Sequence, residues 1–343
     1  MVEITVRGAG ILGLSIAWVC VLRGAQVRVI DPNGPAAGSS GGVVGALAPH
    51  VPENWNPKKA FQLRSLLAAE EFWSGVAEAG GQAPGYRRSG RLQTVADEHA
   101  LALAQSRSRS AQTLWGQHAR WIVEPAPDTP WSPHSPTGQV IRDTLSALVH
   151  PRQACMALVS ALAARGVMTQ TDGPDAGQVV WATGVQGLDA LSREHHRPVG
   201  NGVKGQAAVL DYDAAGAPQL FVDGVHIIPH LDGTVAIGST SEREFADPYT
   251  TDEQLDAVIA KARAAVPALV DAPVLARWAG VRPRARSRAP MLGPWPGRPG
   301  HFIANGGFKI GFGMAPAIAH VMADLMLEGT DNIPEGFEVT ASF

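Results

Sequence analysis

The residues best suited to chemistry stand near the start of the chain. Gly8, Gly10 and Gly13 follow the spacing Gly-x-Gly-x-x-Gly, and an acid, Asp31, comes 18 residues after the third glycine. Glycines so spaced serve a bound pyrophosphate. Gly8 permits a tight turn, Gly10 lets phosphate approach bare backbone, and Gly13 lets a helix pack closely on a strand. The phosphates would sit at the helix N-terminus over Ile11 and Leu12, where free N–H groups and the helix dipole favour negative charge. Asp31 stands where an acid accepts hydrogen bonds from ribose hydroxyls. The elements that must hold these residues are legible around them. Ile4-Thr5-Val6 reads as a short buried strand, and Leu14, Ile16, Ala17, Val19 and Leu22 give a helical apolar pattern. Gln26 to Ile30 reads as a second strand that ends in Asp31. Strand, glycine turn, helix, strand and acid in register predict a bound dinucleotide over an ordinary glycine turn.

The loop that follows, Pro32 to Gly42, is made of small residues including Ser39 and Ser40, and leads into Val43 to Pro49 with Gly45, Ala46 and Leu47. Such a loop can be a linker, but after a second strand of this type it can also wrap a cofactor. A helix is predicted over 58–79, a strand over Arg91 to Val95, and a helix over 97–117. Five prolines break 124–138 into loop before a strand near Gln139 to Arg142 and a helix over Pro151 to Arg165. Val179-Val180-Trp181-Ala182-Thr183-Gly184 reads as a buried strand ending in bare backbone at the carboxyl edge of a sheet. Between 203 and 240 short alternating runs predict an antiparallel sheet, with a turn at Asp232-Gly233. A helix over Asp252 to Ala265, a strand over Val274 to Arg277, a strand and glycine turn at Phe302 to Gly307, and a helix over Ala315 to Leu327 complete the pattern.

Composition sets bounds on function. The chain has 343 residues, 45% of them hydrophobic, enough for a large core and two domains. A net charge of −3 supplies no basic field for nucleic acid or an anionic membrane. Cys20 and Cys155 fall in helical patterns and read as small buried residues, and the histidines show no metal-ligand spacing, so no metal is expected. Residues 11–22 are apolar, but a bilayer span takes about 20 residues and the only preceding basic residue is Arg7. No other segment reads as a membrane span, and cytoplasm is the expected location.

Taken in order, these motifs resemble the FAD-dependent D-amino acid oxidase family, in particular its glycine oxidase and sarcosine oxidase branches. The resemblance rests on Gly8 to Gly13 with Asp31, Ser39 to Pro49, Tyr86-Arg87-Arg88-Ser89-Gly90-Arg91-Leu92, Val179 to Gly184, and Val203-Lys204-Gly205-Gln206. It continues through His226-Ile227-Ile228-Pro229, Asp232 to Thr240, Trp278-Ala279-Gly280-Val281-Arg282-Pro283, and Asn305 to Pro316, so it spans nearly the whole chain. It implies a mixed α/β fold: a Rossmann-type FAD-binding domain (1–50, 139–190 and 285–343) interleaved with a substrate domain (51–138 and 191–284) on a mainly antiparallel sheet. It implies FAD as cofactor, with ADP on Gly8, Gly10, Gly13 and Asp31 and the middle of the molecule on Ser39, Ser40 and Gly45. The flavin would lie near Ala46, Leu47 and the loop Gly306, Gly307, Phe308, Lys309, Ile310 and Gly311, with Ala182, Thr183 and Gly184 also at the cofactor. Gly280 stands where sarcosine oxidases carry their flavin-linking cysteine, so FAD is expected to be non-covalent.

On the substrate side the resemblance implies that Arg282, in Gly-Val-Arg-Pro, grips a carboxylate. Arginine suits the task because its planar fork makes two parallel charge-assisted hydrogen bonds. Lys309 matches a second cation, and His226 replaces a pocket tyrosine. Together the three favour an anionic substrate. Arg284, Arg286 and Arg288 read instead as one solvated strand face, and His50 as surface rather than pocket. The chain departs from the family at Ser287, where an aspartate is usual, at Gly307, where a histidine is common, and in the 12 residues between Gly166 and Val179, where relatives carry several strands. The implied reaction is oxidation of a small amino acid or secondary amine by hydride transfer from Cα–H to flavin N5. The imino acid would hydrolyse to a 2-oxo acid, and O2 would become H2O2. A dehydrogenase feeding a quinone or an electron-transfer protein is the alternative, and a non-catalytic flavin-binding subunit or redox sensor a third. Oligomeric state is not readable.

Overall fold

Ile4, Thr5 and Val6 are all buried, with no polar face between them, as a strand covered on both sides of a sheet requires. The computed structural model describes residues 2–343 and sets this strand, Glu3–Arg7, inside a six-stranded sheet. Its neighbours are Gln178–Trp181 on one side and Gln26–Ile30 on the other, both parallel to it. His301–Asn305 continues the sheet in parallel, Met291–Pro294 closes that edge antiparallel, and Thr169–Gln170 closes the other. The strand order reverses at Glu3–Arg7, which opens a crevice at the carboxyl ends of the strands. Helices Ile11–Leu22, Pro57–Gly80, Pro151–Ala164 and Gly311–Ala323 pack on one another and on this sheet. Leu14 and Ile16 have no exposed surface, and a side chain so buried stabilises the fold by about 1.5–3 kcal/mol.

Helix starts are fixed locally. Asn56, with Pro57 behind it, accepts the Lys59 N–H at 3.1 Å, and Asp97 accepts that of Ala100 at 2.8 Å. Helix Glu253–Ala265 begins in the same way at Asp252.

The second sheet has eight strands: Val274–Ala285, Gly200–Asp211, Thr234–Gly238, Val225–Pro229, Gln219–Val222, Arg91–Thr94, Gln139–Asp143 and Trp121–Pro125. All neighbours are antiparallel except Gln219–Val222 and Arg91–Thr94. Period-two alternation divides its faces. Leu220, Ile227, Ile237 and Ala208 pack with Leu255, Ile259 and Ala262 of helix Glu253–Ala265, and the next residues along each strand turn the other way.

The structure corrects several expectations. The strand expected over Val274 to Arg277 runs on to Ala285, because an edge strand tolerates Pro283 and carries its arginines alternately. Gln139–Asp143 pairs with Arg91–Thr94, so it belongs to the eight-stranded sheet and not to the cofactor-side segment in which it was expected. Trp121–Pro125 is a strand that overlaps the expected proline loop, while Gln219–Val222, Met291–Pro294 and helix Gly184–Glu194 had no clear pattern. Among the described residues one helical run, Phe308–Glu328, is long and apolar enough to cross a membrane, with mean hydropathy 1.5 over its window, where none was expected. Of that window 61% is buried, where helix Gly311–Ala323 packs against Ile11–Leu22 and Pro57–Gly80.

Candidate active site

A cavity of about 1490 Å³ lies between the glycine turn and the inner face of the eight-stranded sheet. A drug-sized ligand fills roughly 300–1,000 Å³, so this space suits a long cofactor with a small substrate beside it. Every expected cofactor-facing residue lines it except Gly13 and Gly306, and so do Arg282, Lys309 and His226.

The two exceptions build the walls from behind. A Cβ on Gly13 would stand 1.9 Å from the Gly8 carbonyl oxygen, so this glycine lets the helix seat on the turn. Gly8 has φ +110 and a Cβ there would meet the Ala182 carbonyl at 2.4 Å. At Gly10 the nearest atom to an added Cβ is Ser40 Oγ at 3.1 Å, which leaves the backbone facing the cavity. Gly306, with φ +73, turns the later loop past Ala285.

Asp31 braces the turn: its carboxylate accepts the Ala9 N–H at 2.8 Å and the Asn33 N–H at 3.0 Å. Gly10 caps helix Ile11–Leu22 without a side chain, and Ser40 supplies the missing acceptor, taking the Ile11 N–H at 3.0 Å. Asn305 ties two loops together, donating to the Gly184 carbonyl at 2.8 Å and accepting the Gly306 N–H at 2.7 Å. Arg7 and Trp181, which had not been singled out, also line this end, with the Arg7 guanidinium carbon 5.9 Å from the Trp181 ring. These bare backbones, the acid and the helix N-terminus fit the ADP half of FAD. Neither cysteine lines the cavity.

On the sheet side, register explains why distant residues meet. Trp278, Ala207, Gly238, His226 and Phe221 form one row across five strands, and Gly280 and Arg282 follow Trp278 on the same face. Arg282 is buried. Its Nη2 donates to Ser239 Oγ at 2.7 Å and to the Thr240 carbonyl at 3.1 Å, while Nη1 has no partner among the described residues. Burial lowers its pKa to about 10, against the pull of nearby Glu242. Glu242 is itself held by Gln206 at 3.1 Å, by Lys204 at 3.7 Å and by the Thr240 hydroxyl. Gly205, on the neighbouring strand, makes the guanidinium's space, since a Cβ there would lie 1.5 Å from Arg282 Nη2. The glycine of Val203-Lys204-Gly205-Gln206 was visible in the sequence, but its purpose was not.

Lys309 reaches solvent through the cavity, and burial of its stem together with Arg282 and Arg284 pushes its pKa down. His226 is not a third cation: burial, then Arg91 and Lys309, lower its pKa to about 3, and Nδ1 is buried without a partner. Arg284 is half-buried rather than solvated, its guanidinium carbon 5.5 Å from the Phe308 ring, while Arg286 and Arg288 are exposed as expected. His50 lines the cavity instead of the surface. Its backbone N–H and ring Nδ1 both reach Gln62 Oε1, at 2.7 and 2.5 Å, and burial lowers its pKa.

Residues 3–325 match the family described as FAD dependent oxidoreductase, DAO. The chain belongs to that family. This DAO-family protein is accordingly an FAD-dependent oxidoreductase, and its relatives place it in the glycine oxidase-like branch. Glycine oxidase of Pseudomonas putida is 26% identical over 356 residues, covering 94% of each chain. Glycine oxidase of Pseudomonas aeruginosa is 37% identical over 125 residues, which are 36% of this chain and 34% of that protein. Glycine oxidase from Geobacillus kaustophilus superposes with a TM-score of 0.84 at 19% identity over 99% of both chains, a likeness of fold.

Proposed function

We propose that this oxidoreductase oxidises a small amino acid or secondary amine bearing a carboxylate, with O2 as acceptor and H2O2 as co-product. The observation that carries the reading is Arg282 Nη1, a buried N–H donor in the cavity wall that lacks an acceptor. A buried donor left unpaired is costly, and a substrate carboxylate satisfies it with charge assistance. When bound, FAD supplies the two-electron oxidising capacity, for hydride loss from the substrate Cα–H and for reduction of O2. Arg282 and Lys309 hold the carboxylate and so aim the Cα–H, and fixed geometry removes much of the entropic barrier. The same cations disfavour an ammonium beside them, so the amine binds neutral and no side chain need remove a proton before hydride loss. The imino acid leaves with one proton lost from nitrogen, and water hydrolyses it to a 2-oxo acid and an amine or ammonia.

Holoenzyme mixed without oxygen with a panel of amino acids and N-methyl amino acids is expected to lose its flavin absorbance with at least one of them. Readmitted air then restores the absorbance with peroxide release; absorbance that air does not restore points to a quinone or protein acceptor. Arg282→Ala is expected to keep its FAD while KM for that substrate rises about ten- to a hundredfold, since a hydrogen bond to a charged group is worth about 1.5–3 kcal/mol. A variant with unchanged KM removes Arg282 from this role.

A further inference from the structure

The carboxylate grip uses Arg282 and Lys309, yet the cavity wall holds another buried cation. Arg91, 5% exposed, lines it from the strand next to Phe221. Its guanidinium carbon lies 5.8 Å from the Phe221 ring, whose centroid is 4.6 Å from that of His226. Arg91 Nε donates to Asp143 at 2.9 Å, and the other Asp143 oxygen accepts the Ser146 N–H at 2.7 Å. The terminal nitrogens of Arg91 make no hydrogen bond among the described residues, and neither does His226 Nδ1. Asp143 and Glu242 both lie off the cavity. The carboxylates that line it are Asp31, engaged by the glycine turn, and Asp189 on helix Gly184–Glu194. Burial chiefly keeps the His226 ring neutral, and the charges of Arg91 and Lys309 add to the effect. Asp143 balances the charge of Arg91, but a monocarboxylate bound at Arg282 leaves the terminal N–H groups of Arg91 without an acceptor among the described residues.

We propose that Arg91 and His226 form a second anion subsite, and that the substrate is an amino dicarboxylic acid with its further carboxylate on Arg91. The fork of Arg91 presents parallel N–H groups to that carboxylate. Neutral His226 can donate one more hydrogen bond without adding a charge. The inference rests on the amine-oxidation reading and adds to it the substrate class. The second carboxylate lies either on the nitrogen substituent or on the Cα side chain; the chemistry at Arg91 is the same.

The test follows flavin bleaching of the holoenzyme without oxygen. Iminodiacetate represents the nitrogen-borne carboxylate, and the D and L forms of aspartate and glutamate the side-chain one. N-methylglycine and the two alanines are the monocarboxylates. The diacid-to-monoacid ratio of second-order rate constants is expected to exceed about tenfold, and to fall by about tenfold or more in Arg91→Met/Asp143→Asn. That pair removes both charges together, so no buried carboxylate is stranded. A wild-type enzyme with no diacid preference overturns the proposal, as does a ratio that the variant leaves unchanged. If the variant fails to hold FAD, the wild-type ratio alone decides. If no amine bleaches the flavin, the amine-oxidation reading fails, and succinate against acetate, titrated by the shift in flavin absorbance, decides the subsite. Succinate bound about tenfold tighter supports it; equal affinities overturn it.

Discussion

Arg282 shows how one side chain depends on what surrounds it. Its grip on an anion needs a guanidinium held still, and Ser239, Thr240 and the gap over Gly205 do the holding. Gly205→Ala would put a methyl group 1.5 Å from Nη2, which forces the guanidinium out of place without touching the cofactor end. The expected outcome is a KM raised at least about tenfold for the carboxylate substrate with FAD content unchanged, read by steady-state kinetics beside the flavin spectrum. Normal KM in that variant means that Arg282 is not positioned in this way. At this scale the sequence was informative in part. Gly-x-Arg-Pro singled out Arg282, and the glycines singled out the cofactor end. The alternation of Arg284, Arg286 and Arg288 misled, because an exposed rim and a stacking partner for Phe308 share the same spacing. Residue type alone left the charge of His226 open, and burial decides it, with Arg91 and Lys309 adding to the effect.

Among elements, the strand–turn–helix at the start of the chain separates two jobs done by glycine. Gly13 allows backbone to touch backbone, for a Cβ would meet the Gly8 carbonyl at 1.9 Å; Gly10 keeps a path open beside Ser40 Oγ, 3.1 Å away. Gly13→Ala is therefore expected to lower the melting temperature sharply and to lose FAD with the fold. Gly10→Ala is expected to melt within a few degrees of the parent apoprotein while binding FAD about tenfold or more weakly. Melting curves with and without added FAD separate the two; equal damage from both substitutions would contradict the division. The helix itself was legible from its apolar period, and Asp31 from its distance. Ser40's capping of Ile11 was not, since it joins residues 29 apart in sequence that only the folded loop brings together.

At the level of the whole molecule, buried histidines contribute to the response to acid, His226 and His230 with the largest shifts. His226 and His230 have pKa values lowered to about 3 and about 4, chiefly by burial, from an ordinary value of 6.5. The unfolded chain takes up protons at these positions as pH falls below about 6.5, while the fold keeps them neutral. Acid thus favours the unfolded state, and their contribution to stability falls as pH drops from about 6.5 toward 4. The loss of melting temperature between pH 7 and pH 4.5 is expected to be smaller in His226→Gln/His230→Gln than in the wild type. An equal or steeper loss would show that these rings do not remain neutral. The carboxylates whose pKa values are lowered by ion pairs, such as Glu53 with Arg107, are unchanged in that comparison.

The sequence by itself determined the nucleotide-binding unit. Its signals are local: glycine at fixed spacing, an apolar helical period, and an acid at the end of the next strand. It also determined that an antiparallel sheet follows, because alternation is a property of each strand alone. Only the tertiary structure decided which residues share the cavity. Arg91 and Arg282 lie 191 positions apart and reach one wall through an eight-strand order that no local pattern encodes. Charge state, too, was decided there, since desolvation and neighbouring cations are properties of the assembled site.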